Sequence, residues 1–239
     1  DWPFISAPEV QSRFFGDEAA ADTGVEYSIL LPVPFFLDLT IGVTNGYCYG
    51  HCHGEGTRPI TPLHYLHPTT FIAFGSDASG SGLLLGASYL GRTDSKGVQT
   101  TLFGIDGTFK QREGKTMRWL VQSEVWYRTI DDPAPAAEDE RSIGSYVYPQ
   151  YGFDENWYFG VRFDAFSVLN KKFAISREDQ SNFDYAIVPT LTYKTSEFST
   201  LRAAYSHAVQ TNQGEGDVRD RRFELQFVYI LGAHPAHDF

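Results

Sequence analysis

Side chains that could bind a metal ion are concentrated in residues 48–67. This stretch carries two thiols, four imidazoles and a carboxylate, namely Cys48, Cys52, His51, His53, His64, His67 and Glu55. Zn²⁺ prefers sulfur and nitrogen donors in a tetrahedral set. The stretch therefore predicts a zinc site built from some of these imidazoles, with or without the thiols.

The two cysteines have other interpretations. Cys48 and Cys52 lie four residues apart and are the chain's only cysteines. In an exported protein they would meet an oxidising compartment, where a small disulfide is the ordinary outcome. Unpaired thiols are another alternative. Haem c attachment at Cys48, Cys52 and His53 is a further one, although its spacer is one residue too long and no second ligand is evident. The spacing alone leaves these alternatives open.

A second set of polar side chains alternates with apolar ones. The alternation is clearest in residues 116–130 and recurs in 156–169, 183–194, 201–210 and 222–231. A period of two residues is typical of β-strands with one apolar and one polar face. Acids and bases are balanced on the polar faces, where we predict interior charges at Lys110, Arg118, Glu124, Arg128, Arg162, Asp164, Arg202, Arg222 and Glu224. Such groups pair inside a narrow barrel, whereas in a wide barrel they line a water-filled pore.

About eleven strands are predicted between residues 25 and 231, and the connections between them alternate in length. Short connections suit tight turns, while most long ones carry charge, glycine and proline. The connection at 92–97 is the exception. This asymmetry is typical of an all-β, antiparallel, up-and-down transmembrane β-barrel with short periplasmic turns and longer outer loops.

The pattern predicts one barrel domain over residues 1–239. Residues 1–24 are expected to form an outer loop or an incomplete first strand, residues 25–231 the barrel strands, and residues 232–239 a periplasmic tail. Bacterial single-chain barrels have even strand numbers. About eleven strands therefore implies at least one more, hidden in residues 1–15 or encoded upstream, so the chain is expected to be part of a larger barrel.

Composition excludes some classes of function. The net charge of -11 argues against nucleic acid as a partner and would suit attraction of cations. The longest apolar run, residues 29–37, contains two prolines and is too short for a spanning helix. No secretory signal precedes Asp1, which fits a mature exported, a truncated or a cytosolic protein equally well. No hydrolase elbow, phosphate-binding loop or His-Glu-x-x-His motif occurs, so catalysis is not expected.

Three segments resemble a known family. They are His-Cys-His-Gly-Glu-Gly at 51–56 with Pro-Leu-His-Tyr-Leu-His-Pro at 62–68, Arg-Phe-Phe-Gly-Asp-Glu at 13–18, and the ending at 223–235. Together they resemble the C-terminal portion of proteobacterial outer-membrane proteins described as zinc-regulated, TonB-dependent receptor-like or porin-like. The resemblance implies an outer-membrane protein tied to zinc supply, with histidine-rich outer loops. TonB-dependent transporters need about 22 strands and a plug domain, which this chain does not supply.

The leading expectation is a porin-like channel or uptake protein of the bacterial outer membrane, for small solutes or divalent cations, zinc among them. Its expected partners are outer-membrane lipid, the permeating solute and a protein partner or a second copy of the chain. The alternative is a structural barrel with a closed interior, whose outer loops bind a partner protein or a surface ligand. A soluble β-sandwich or lipocalin-like binder is a third possibility, which predicts solubility without detergent.

Overall fold

The computed structural model describes residues 2–16, 22–45, 62–75, 80–94, 96–134, 139–169, 183–196, 198–211 and 217–230. These residues form one helix and eleven strands. The elements are α1 (Glu9–Phe15), β1 (Gly24–Leu30), β2 (Leu37–Thr44), β3 (Leu63–Phe74), β4 (Ser81–Thr93), β5 (Gln99–Glu113), β6 (Thr116–Asp131), β7 (Glu140–Gly152), β8 (Trp157–Val168), β9 (Asp184–Ser196), β10 (Ser199–Gln210) and β11 (Val218–Tyr229).

The eleven strands form one sheet in chain order, from β1 to β11, and every neighbouring pair that is hydrogen-bonded runs antiparallel. The predicted up-and-down topology is therefore confirmed. Within the described residues, β1 and β11 each have one neighbouring strand and form the two edges of the sheet. No helix among these residues is both long and apolar enough to span a membrane.

One face of the sheet is apolar and exposed along its whole width. Ile105 is 67% exposed, and on the last strand Phe223 and Leu225 are 67% and 73% exposed. Trp119 and Phe159 lie on the same face and are 42% and 41% exposed, so they do not meet in a dry centre between two stacked sheets. A continuous exposed apolar face needs lipid around it, and an antiparallel barrel is the sheet that can present one in a membrane. The arrangement is that of a sheet that spans a membrane.

Aromatic side chains on the exposed face gather towards the strand ends. On the side of the short turns, Trp157 stacks on Tyr193 with ring centroids 4.4 Å apart, and Trp119 meets Tyr151 at 5.0 Å. Towards the opposite side, Tyr89 contacts Phe103 at 5.4 Å. Such belts mark the two interfaces of a membrane with water.

Short polar turns connect the strands on one side. The turn between β7 and β8 is held by Asp154, whose Oδ1 accepts the backbone N–H of Asn156 and that of Trp157, each at 2.8 Å. Gly114 supplies the positive φ, 59°, that the two-residue turn between β5 and β6 requires. On the other side, Asp94 Oδ1 accepts two backbone N–H groups in the connection from β4 to β5. This Asx turn explains why that connection is short where a long loop would be the rule.

Residues 2–16 differ from the expected outer loop or incomplete first strand. Residues 9–15 form helix α1, and residues 2–16, called the inner segment from here on, pack on the face of the sheet opposite the lipid. Val10 and Phe14 are four residues apart, a helical spacing, and both are almost fully buried, at 0% and 1% exposure. The expectation of a strand was wrong for residues 9–15, because the apolar residues there have the spacing of a helix and the helix buries them on the sheet.

Candidate functional site

The inner face of the sheet, opposite the lipid, is where chemistry could occur, and the inner segment covers part of it. Phe4, near the start of this segment, meets Tyr146 and Tyr148 edge-on at 5.7 and 5.2 Å between ring centroids. Towards the end of α1, Phe14 meets Phe166 at 5.7 Å. Edge-to-face aromatic pairs in a buried cluster add to the free energy gained from burial alone. The inner segment is therefore packed in place by an aromatic core.

Gly144, which has no side chain, makes room on the sheet for α1. Val10 lies over Gly144 of β7, and a Cβ at Gly144 would come within 2.6 Å of Val10 Cγ2. Close approach of this kind requires glycine. Phe15 packs beside it, with its ring centroid 5.0 Å from that of Trp126.

Arg162 of β8 anchors the start of the inner segment. Its guanidinium donates to the backbone carbonyls of Ser6 and Ala7, the second at 3.3 Å, and lies over the ring of Phe4 at 4.6 Å. Its Nε is 3.0 Å from Asp164, and both side chains are almost fully buried. A buried arginine is tolerated only where its charge is paired and its N–H groups find acceptors. Arg162 therefore joins the inner segment to β8 of the sheet.

Two further arginines hold α1. Arg13 pairs with Asp184 of β9 at 2.9 Å. Arg128 of β6 pairs with Glu140 at 2.6 Å and lies over the ring of Phe14 at 4.7 Å. These contacts join α1 to strands on both sides of β7, so the helix is fixed across the inner face.

Glu124 of β6 is the most hydrogen-bonded acid on the inner face. It accepts the indole N–H of Trp126 at 3.0 Å, the hydroxyl of Tyr146 at 2.8 Å and the side-chain amide of Gln11. Because three neutral donors hold its carboxylate in place, Glu124 positions side chains of the inner face.

The inner segment leaves a cavity on each of its two sides. A cavity of about 470 Å³ separates it from β8–β11, and a smaller one of about 280 Å³ separates it from β3–β6. The larger cavity is lined by charge, including Glu9, Arg162, Asp164, Asp220, Arg222 and Glu224. The smaller one combines indole rings with polar groups, including Trp2, Trp126, His67, Asp106, Gln122 and Glu124.

The other predicted interior charges also lie on strands of this face. Lys110 and Arg118 are near the short turns, where Arg118 donates to the carbonyls of Gly152 and Phe153. Arg202 donates to Gln226 at 2.7 Å, and Arg222 pairs with Asp220 at 3.2 Å. Oε2 of Glu224 is buried without a hydrogen-bond partner among the described residues.

The predicted metal ligands are only partly within the described residues. Cys48, Cys52, His51 and His53 lie outside them, so the disulfide and the zinc set stay predictions. His64 and His67 were expected in an outer loop, but both lie within β3. Their side chains point to opposite faces because they are three residues apart on a strand. His64 contacts Tyr89 on the lipid side, and Nδ1 of His67 is 2.8 Å from Ser88 Oγ on the inner face.

Sequence reasoning missed the aromatic part of the inner face. Trp126, Tyr146, Tyr148, Tyr158 and Phe166 are buried there, although the inner face was expected to be polar. The alternation of even- and odd-numbered positions along the strand could have predicted this burial. Tyr146 and Tyr148 share the even-numbered positions of β7, which are its buried positions. They are buried because the inner segment covers them.

No protein-family model matches the chain. A curated protein of Aquifex aeolicus (strain VF5), described as an uncharacterized protein, is 26% identical over 262 aligned residues, which take in 100% of this chain and 55% of that protein. Among solved structures, the outer membrane channel DcaP of Acinetobacter baumannii superposes with a TM-score of 0.65 at 13% identity, over 87% of this chain and 62% of that one. The chain thus spans little more than half the length of the proteins it matches.

These comparisons support the fold. The sheet has the fold of an outer-membrane β-barrel channel, as the sequence predicted. The resemblance to porin-like outer-membrane proteins is supported at this coarse level. The zinc-regulated and TonB-dependent parts of that resemblance gain no support from either comparison.

Proposed function

We propose that the chain is part of a porin-like channel of the bacterial outer membrane, whose interior is narrowed by the inner segment. The observation that carries the proposal is the contrast between the two faces of one up-and-down sheet. One face is apolar and exposed, while the other bears charged groups, hydroxyls and cavities. A passage for polar solutes across lipid needs both properties in the same wall.

The inner segment narrows the passage without filling it. It is fixed to the wall by Arg162, by the pair of Arg13 with Asp184 and by the aromatic core, so it does not swing freely. The cavity of about 470 Å³ on one side of it is within the size range of small-molecule sites. Small polar solutes are therefore the cargo that the geometry fits best.

We further propose that divalent cations, zinc among them, are solutes of the channel and bind first at its outer opening. Support comes from the acidic net charge of -11 and from the histidines and cysteines of residues 48–53. His64 and His67 do not contribute to one common site, because they lie on opposite faces of β3. Zinc titration of the refolded protein against a His51→Ala, His53→Ala double variant tests this part, and equal affinities would remove it.

A structural barrel with a closed interior is the second candidate. The observation in its favour is that several inner charges already pair with one another, as Arg162 does with Asp164 and Arg128 with Glu140. In this version the interior is closed, and the outer loops bind a partner protein or a surface ligand.

Single-channel conductance separates the two candidates. The full-length protein, including the residues encoded outside this chain, is refolded in detergent and added to a planar lipid bilayer. A channel gives discrete current steps that scale with salt concentration. A refolded protein that inserts without any steps would overturn the channel and favour the closed barrel.

A further inference from the structure

Two carboxylates on the inner face lie directly opposite each other on neighbouring strands. Asp106 of β5 is the register partner of Glu124 of β6, so both side chains project from the same face of the sheet. Such side chains begin about 5 Å apart, and like charges placed there destabilise the pair of strands. Among the described residues, no lysine or arginine forms an ion pair with either carboxylate. Two negative charges therefore face each other without a paired basic side chain.

The two carboxylates differ in what holds them. Three neutral donors hold Glu124 in place. Asp106 lies over Gly86 of β4, where an added Cβ would come within 2.5 Å of the Oδ1 atom of Asp106. Asp106 is half-buried, and none of the described residues donates a hydrogen bond to it. Asp106 is therefore the carboxylate that a ligand can reach.

Both carboxylates line the smaller cavity, of about 280 Å³, between the inner segment and β3–β6. The indole rings of Trp2 and Trp126 line it as well. At its β3 side, Nδ1 of His67 is directed at β4, where it lies 2.8 Å from Ser88 Oγ. Sites for drug-sized molecules begin at roughly 300 Å³, so a ligand of this cavity is smaller than that.

The smaller cavity has no lysine or arginine among its described lining residues. An adjoining cavity of about 350 Å³, towards β1 and β2, shares His67 and Trp126 with it, adds Glu26 and likewise has no basic side chain among the lining residues that are described. The larger cavity, on the other side of the inner segment, is lined by Arg162 and Arg222. The inner segment thus separates an acidic side of the interior from a side of mixed charge.

An ammonium group suits the smaller cavity better than a metal ion does. Among the described residues, no group of three or more His, Cys, Asp or Glu side chains is placed to hold a metal ion. An ammonium group instead pairs its N–H donors with individual carboxylate oxygens. The attraction is stronger where bulk water is excluded. Indole rings add attraction for the cation and an apolar surface for an attached alkyl chain.

We propose that the smaller cavity binds a small organic cation, an alkylammonium ion, with its nitrogen beside Asp106 and Glu124 and its alkyl part against Trp2 and Trp126. The bound cation removes the repulsion between the two opposed carboxylates. The site rests on the proposed channel function and deepens it, because it names primary amines as a class among the small polar solutes.

Calorimetric titration of the refolded full-length protein in a non-ionic detergent tests the site without needing an open pore. Butylammonium chloride, 1-butanol and magnesium chloride are titrated separately at constant ionic strength. We expect butylammonium to bind at least about tenfold more tightly than butanol, which has the same chain length and no charge. Equal affinities for butylammonium and butanol would overturn the site. Magnesium that binds in place of butylammonium would overturn the assignment to an organic cation.

Asp106→Asn should weaken butylammonium binding about tenfold, because the accessible negative charge is lost while the shape is kept. The matched control is Asp220→Asn, which removes the same charge from the lining of the larger cavity. Its affinity for butylammonium should stay within about twofold of wild type. An equal loss in the two variants would mean that overall charge, and not this cavity, attracts the amine.

Urea unfolding without amine separates a ligand site from a structural ion pair. Asp106→Asn should unfold at a higher urea concentration than wild type, because the repulsion from Glu124 is removed. A lower urea concentration would mean that His67 is the structural cation of Asp106, which would overturn the site.

Thr108→Lys decides the matter if Asp106→Asn does not refold. Thr108 lines the same cavity, two residues from Asp106 on the same face of β5. The new side chain brings an ammonium of the chain itself into the cavity and should abolish butylammonium binding, whereas wild-type affinity would contradict the proposal. Butylammonium binding without current in bilayers would support the site and overturn the channel, and current without binding would do the reverse.

Discussion

Arg162 and Ser6 are joined across 156 positions of the chain by a hydrogen bond from the guanidinium to the backbone carbonyl. The contact is partly buried, and it fixes the start of the inner segment to β8. The same sheet therefore faces lipid on one side and holds the inner segment on the other.

Replacing Arg162 by Gln should destabilise the protein strongly. The substitution leaves Asp164, which is 4% exposed, without its cation, and breaking a buried pair costs roughly 3–5 kcal/mol. Urea unfolding in detergent micelles measures the free energy. Arg222→Gln is the control, because its pair with Asp220 is exposed and should contribute less than about 1 kcal/mol. Equal free energies for the two variants would mean that Arg162 does not anchor the segment.

Gly144→Val should displace α1 from the inner face. The added side chain would begin at a Cβ only 2.6 Å from Val10 Cγ2, and β7 is hydrogen-bonded to a strand on each side. We expect a larger single-channel conductance, because the constriction no longer packs on the wall. Ser145→Val on the lipid side of the same strand is the control and should leave conductance unchanged. A Gly144→Val protein with wild-type conductance would show that the inner segment does not limit the passage.

Arginine on the lipid face should be costly in the middle of a strand. Ile105 is 67% exposed near the centre of β5, and Ile105→Arg should cost about 2–4 kcal/mol in a bilayer. Thr108→Arg, three residues along on the inner face, should cost less because its charge reaches water. Folding into lipid vesicles at a series of urea concentrations gives both values. If Ile105→Arg lowered the free energy of folding less than Thr108→Arg does, the lipid-facing and inner faces would have been assigned the wrong way round.

His67→Ala should leave zinc affinity within about twofold of wild type. Nδ1 of His67 already contacts Ser88 and the carbonyl of Ala87 on the inner face, away from His64. Removal of a true zinc ligand or of its supporting group costs about 10–100-fold or more. A loss of that size, measured by competition with a chromophoric chelator, would place His67 in the metal site after all.

The strands were predictable where the two faces differ in polarity. Residues 222–227 of β11 alternate strictly and β6 alternates over most of its length, because one side meets lipid and the other meets charged groups or water. The start of β3 was missed, since Leu63 and Tyr65 face inwards and Leu66 faces outwards, which removes the polar alternation. Tyr65 faces inwards because it lies over Gly42 and donates to Glu26, contacts that only the folded sheet supplies.

The candidate site was predictable in its charges and not in its packing. The sequence indicated which arginines and acids share a face, because successive side chains of a strand point to opposite faces of the sheet. It could not indicate that Arg162 reaches the carbonyls of Ser6 and Ala7, because no local pattern encodes a contact between distant segments. The burial of Tyr148 on the inner face was missed for a related reason. Its ring fits only because residue 160, on the next strand, is a glycine.

The central claim is that alternate residues of one strand meet lipid and an aqueous interior. Spin labels placed one at a time at residues 222–227 of β11, in a Cys48→Ser, Cys52→Ser background refolded into vesicles, test it most directly. We expect collisions with oxygen to dominate at Phe223, Leu225 and Phe227, and collisions with a water-soluble nickel chelate to dominate at Arg222, Glu224 and Gln226. Accessibility without a two-residue period, or with the opposite phase, would contradict the account.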